Sequence, residues 1–84
     1  MRNPKDVKVH FSLGVLLASE QNYGPAIHVF ALADALEPHT FEILHDLGQT
    51  YLRHSEPAKA QPVLEQALHL RPNSADTLYL LALP

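Results

Sequence analysis

The sequence predicts an all-α fold: a solenoid of helical hairpins with two full 34-residue repeats and the first helix of a third. Three observations predict it. Leu13-Gly14, Ala26, Val29, Ala33, Leu36 and Pro38 recur at one interval as Leu47-Gly48, Ala60, Val63, Ala67, Leu70 and Pro72. Conservative pairs stand between them at the same spacing: Val9/Ile43, Leu17/Tyr51 and Phe30/Leu64. Within each unit the apolar residues keep the three-to-four spacing of a helix face, and turn-forming residues separate the runs. A period of this length marks an array in which each unit buries its apolar face on the next.

Five helices follow in order. Asn3-Pro4-Lys5-Asp6 reads as a helix start, with Asn as N-cap, Pro at the first position and an acid in the first turn. Val9, Leu13, Leu16 and Leu17 form the apolar stripe of that helix. Gln21 to Pro25 breaks it, and Asn22 is the expected cap of the second. The second helix carries Ala26, Val29, Phe30, Ala33 and Leu36 and ends at Glu37, because Pro38 disfavours helical geometry in the residue before it. Thr40 is the expected cap of the third, with Ile43, Leu44, Leu47 and Tyr51 on its stripe. Ser55 is expected to cap the fourth, which carries Ala60, Val63, Leu64, Ala67 and Leu70 before Pro72. Pro62 falls inside that helix, so the helix either starts later than its twin or is kinked there. Asn73 or Ser74 caps a fifth helix with Leu78, Leu81 and Leu83.

Length and composition bound the function. The chain of 84 residues makes a single domain, 1–84, with one unit at about 7–40, a second at about 41–74 and a partial repeat or capping helix at 75–84. With no cysteine there is no disulfide framework and no thiolate metal site, which fits a cytoplasmic location. A net charge of −3 with 18% charged residues opposes a phosphate-binding surface, so nucleic acid is not an expected partner. No apolar run reaches the ~20 residues of a membrane span, and the first residues do not read as a secretory leader.

In the first unit His10, Leu13-Gly14, Leu17, Ala26, Phe30, Ala33 and Pro38, and in the second Leu44, Leu47-Gly48, Tyr51, Ala60, Leu64, Ala67 and Pro72, resemble the tetratricopeptide repeat family. The likeness spans residues 7–84; His10 departs from it, where a large apolar residue is usual. Gly14, Gly48 and Ala82 lack bulk where a first helix lies against its second, and Ala33 and Ala67 face the following unit. The resemblance implies a groove, lined by the first helix of each pair, that holds a protein or peptide partner. Helical spacing and the family register put Lys8, Phe11, Val15 and Ala18, then Glu42, His45, Gln49 and Leu52, then Asp76, Tyr79 and Leu83 on that surface, and Arg53 joins the partner-binding set at its edge. Lys8, Glu42, Gln49 and Arg53 would select partners electrostatically around an apolar strip of Phe11, Val15 and Tyr79. Some members grip a terminal carboxylate with Lys, Asn and Arg on this face. Here those places hold Phe11, Val15, Asp46, Asp76 and Leu80, which opposes an acidic tail.

The last segment, Thr77 to Pro84, is apolar on most sides. Leu78 and Leu81 have work against the preceding pair, whereas Leu80 and Leu83 are expected near water, where they would drive self-association into a homo-oligomer. That is the alternative to foreign-partner binding. No enzyme activity, cofactor or metal is expected. The six histidines, His10, His28, His39, His45, His54 and His69, include no pair three or four apart. His45 and Asp46 are adjacent and diverge by about 100° on a helix. The three glycines are isolated and form no phosphate loop.

Overall fold

The computed structural model describes residues 4–83. Five helices follow in order: α1 (Pro4–Ser19), α2 (Tyr23–Leu36), α3 (Phe41–Arg53), α4 (Pro57–Leu70) and α5 (Ala75–Ala82). α1 packs along α2 and α3 along α4 as two hairpins; α2 then meets α3, and α4 meets α5. The array measures 39 × 26 × 18 Å. The cap expected at Asn3 lies outside the described residues.

Small residues set the hairpin spacing. Ala26, Ala33, Ala60 and Ala67 are fully buried, and Phe30 and Leu64 lie between them at 1% exposure each. A Cβ on Gly14 would stand 2.6 Å from the Phe30 ring, and one on Gly48 would strike the Leu64 side chain. The two hairpins therefore close by the same device, with a glycine on the first helix facing a large residue on the second. Ala82 does not take this part: it is exposed, since no second helix faces it.

Both second helices run 14 residues and end alike. The N–H of Glu37 donates to the Ala33 carbonyl and that of Arg71 to the Ala67 carbonyl, immediately before Pro38 and Pro72. The starts depart from expectation. Asn22 and Thr40 occupy N-cap positions but their side chains make no capping bond; the Thr40 hydroxyl donates back to Glu37 instead. Ser55 is not a cap at all. It sits at φ 60° in the turn, like Gln21 at φ 65°, and Glu56 is the N-cap. Only Ser74, of the expected caps within the described residues, accepts from a backbone N–H, that of Thr77. α4 begins at Pro57, in step with Tyr23 of α2, so Pro62 does not delay its start. Pro62 and Ala58 are both exposed, and Pro62 has no N–H to return to the Ala58 carbonyl.

Burial corrects the expected stripes at both ends. Val9, Leu13 and Leu16 are exposed at 61, 41 and 53%, whereas their counterparts 34 residues on, Ile43, Leu47 and Thr50, are exposed at 2, 5 and 3%. α3 has α2 in front of it, and nothing described stands in front of α1. α1 instead buries Gly14 and packs Phe11, Leu17 and Ala18 against Ala26, Phe30 and Leu47. On α5, Leu80 is not near water. It is 9% exposed and closes a cluster with Ala60 and Leu64, so it offers no surface for self-association. Leu81 packs on that cluster as expected; Leu78 does not and is 47% exposed. Leu78 stands where Leu44 stands in α3, a place covered only when a second helix completes the hairpin.

Candidate partner-binding face

α1 touches α3, and α3 and α5 border one depression, so the three helices contribute to one face. The eight groove residues expected from the sequence line three depressions among these helices. Lys8, Phe11 and Glu42 line a cleft of about 250 Å³ between the starts of α1 and α3. Val15, Gln49 and Arg53 line a second, of about 200 Å³, with Asp46 in its wall. His45, Gln49 and Tyr79 line a third, of about 290 Å³, floored by Leu80. Gln49 belongs to the last two and joins them.

The aromatic groups differ in what they offer. Tyr79 is 68% exposed, and Val15 beside α3 is 44% exposed. Phe11 is half-buried; its ring centroid lies 5.8 Å from that of Phe30, so it is a wall of the core as well as of the cleft. His45 is more enclosed still. Its ring stacks on Phe41 with centroids 5.5 Å apart, Nδ1 lies 3.4 Å from Asp46 Oδ1, and Nε2 is buried without a protein partner. Burial pushes the Asp46 carboxyl above the usual carboxylate range, against the opposing pull of His45.

Sequence reasoning missed one group on this face. Arg71, the C-cap of α4, lays its guanidinium over Phe41 at 4.3 Å from the ring centroid and joins Glu42 Oε2 at 2.8 Å. Glu42, expected to select partners, is thus already engaged from within the chain. The signal available was the interval itself: Glu42 and Arg71 are 34 residues beyond Lys8 and Glu37, with the charges exchanged.

Among the described residues no group of three or more His, Asp or Glu converges as a metal site, and no helix is long and apolar enough to cross a membrane. Residues 41–83, which hold α3, α4 and α5, match the family model of the tetratricopeptide repeat. No curated protein matches the chain.

Proposed function

Because the chain belongs to the tetratricopeptide repeat family, whose members are generally non-catalytic protein-interaction scaffolds, we propose that it binds a protein or peptide partner along the face of α1, α3 and α5. The observation that carries this reading is the pair of depressions joined through Gln49, with the exposed Val15 in one and Tyr79 in the other, and a third depression between the starts of α1 and α3. A preformed surface of this kind binds by shape and apolar contact, with little ordering cost on the protein's side. Lys8, Gln49 and Arg53 edge the strip and select by charge and hydrogen bonding, while Glu42 acts through its pair with Arg71.

The test is a peptide library panned on the chain. Binders of this face are lost on Tyr79→Ala and Val15→Asp and kept on Leu32→Ala, which alters an exposed leucine of α2. Binders indifferent to Tyr79 and Val15 but lost on Leu32→Ala would place recognition on another surface and sink the reading.

Self-association is the second reading, favoured by the exposure of Leu78 on α5 and of its C-cap Leu83, at 47 and 41%. It rests on those two residues and no longer on Leu80. Molar mass by light scattering across a concentration series decides it: a mass that rises with concentration and collapses in Leu78→Gln/Leu83→Gln supports it, and a monomer throughout removes it.

A further inference from the structure

The cleft between the C-terminal halves of α1 and α3 holds charges that its own chain leaves unanswered. It has a volume of about 200 Å³. Two of the polar groups in its wall are spent on their own helices: the Ser19 hydroxyl donates to the Leu16 carbonyl and the Thr50 hydroxyl to the Asp46 carbonyl. Three others are not. Asp46, Gln49 and Arg53 stand at i, i+3 and i+7 on one stripe of α3. Among the described residues the Gln49 and Arg53 side chains join no hydrogen bond or ion pair, and the Asp46 carboxylate meets only His45 Nδ1, at 3.4 Å.

Asp46 holds its place at a cost. Burial pushes its carboxyl above the usual carboxylate range, and the charge of Glu42, one turn back, adds to that push while His45 pulls the other way. A carboxylate so placed in the wall of a cleft calls for a cation. At the other end Arg53 is exposed in the last turn of α3 and presents a guanidinium without a counter-ion among the described residues. Between them lie Val15 and Ala18, with Phe30 beneath, as an apolar bed. The cleft is therefore negative at one end, positive at the other and apolar between. A ligand of one charge satisfies only half of it.

Spacing selects the ligand's conformation. Seven residues of helix separate the roots of Asp46 and Arg53 by about 10.5 Å. One turn of polyproline II returns residue i+3 to the same face about 9.3 Å on, whereas side chains two apart on one face of a strand are only about 6.8 Å apart. We propose that this cleft takes an extended segment of a partner peptide with a basic and an acidic residue three positions apart. The base lies at Asp46, the acid at Arg53, and the residues between them lie on Val15. The proposal rests on the partner-binding face above and names the charge pattern of its ligand.

The test uses the terminally blocked peptide Ala-Lys-Pro-Pro-Glu-Ala, whose prolines favour polyproline II, titrated into the isotopically labelled chain. Amide shifts are expected at Val15, Asp46, Gln49 and Arg53. Replacing its lysine by Nε-acetyllysine, or its glutamate by glutamine, should each weaken binding about threefold, the scale of a partly exposed ion pair. Removing one proline, which turns the acid off the cleft, should weaken it as well. Asp46→Asn should erase the effect of acetylation and leave that of the glutamine; Arg53→Gln should do the reverse. Neither change acts through folding, since Asp46→Asn relieves a buried charge and Arg53 is exposed. Equal affinity of the charged and neutral peptides, or an acetylation effect that survives Asp46→Asn, overturns the charge pattern. Equal affinity with shifts still centred on Val15, Gln49 and Tyr79 does so while leaving the partner-binding face intact. Shifts confined to α2 and α4, or none with any of the peptides, overturn the proposal together with the face.

Discussion

Gly14 and Phe30 are so close that a single added carbon on Gly14 would stand 2.6 Å from the ring. Phe30 is 1% exposed and has no room to retreat. Overpacking of this kind costs about 1–3 kcal/mol, and the better helix propensity of alanine returns about 1. Gly14→Ala should therefore lower Tm by several degrees, and Gly48→Ala, against Leu64, should do the same. Differential scanning calorimetry checks both; an unchanged or raised Tm would show that the hairpins are looser than this contact implies.

The turns within the hairpins run the other way. Gln21 and Ser55 hold left-handed backbones at φ 65° and 60°, and both are exposed. A non-glycine residue there costs about 1–2 kcal/mol, partly offset by the greater freedom that glycine has when unfolded. Gln21→Gly and Ser55→Gly should each raise stability by about 0.5 kcal/mol, a few degrees in Tm. His39, at φ 65° between the units, should respond alike.

Asp46 titrates above its ordinary value because burial disfavours its charge. The group binds its proton more tightly folded than unfolded. Its ionisation thus weakens the fold at neutral pH, and that penalty is relieved as pH falls through the folded-state value. Asp46→Asn should be the more stable protein at pH 7, with the advantage shrinking in the acid range below that value. Urea melts at several pH values measure this; an advantage independent of pH would assign it to packing instead of charge.

Asp46 also shows what the sequence made legible and what it did not. Helix number and the ends before Pro38 and Pro72 followed from the interval and from local chemistry, and the resemblance placed Gly14 and Gly48 where the helices of a pair meet; that Phe30 and Leu64 are what they face came only from the structure. Burial at the two ends did not, because it depends on which neighbour is present. Val9, Leu13 and Leu16 repeat a pattern that is buried in α3 only because α2 lies across it. Leu80 stands 34 residues after Asp46, at a place tucked beside the preceding second helix. Read as a helix wheel alone, α5 put that place toward water. The caps were misread for a related reason: a hydroxyl one residue from a helix can serve it or turn back, as Thr40 does toward Glu37. On the candidate face the eight residues named from the register line three depressions among α1, α3 and α5. The register did not reveal that Glu42 is held by Arg71, a contact reaching across 29 residues.

That contact should contribute little to stability. Arg71 and Glu42 are both more than half exposed, at 57 and 55%, so the ion pair and the stacking on Phe41 together are worth about 0.5–1 kcal/mol. Arg71→Ala should lower Tm by a few degrees at most, and less in high salt. A loss several times larger in chemical denaturation would mean that Arg71 holds the α4–α5 turn by more than charge.

Ser74 matters more for its size. Its hydroxyl accepts from the Thr77 N–H, Thr77 is fully buried, and α5 has only eight residues. Removing a cap costs about 1 kcal/mol. Ser74→Ala should raise amide exchange throughout α5 while leaving α1 and α2 unchanged, and uniform loss of protection would contradict that localisation.

The uncovered flank of α1 has a dynamic consequence. In a linear array each helix is held by its neighbours, and opening energies add along the row. Among the described residues α3 packs against both α2 and α4, whereas α1 packs mainly on α2 and α5 mainly on α4. Within the described array, α1 and α5 therefore open before α3. A peptide lying along the binding face would rest on a stiff centre with two yielding margins, and by bridging them it would quiet the ends without moving the middle.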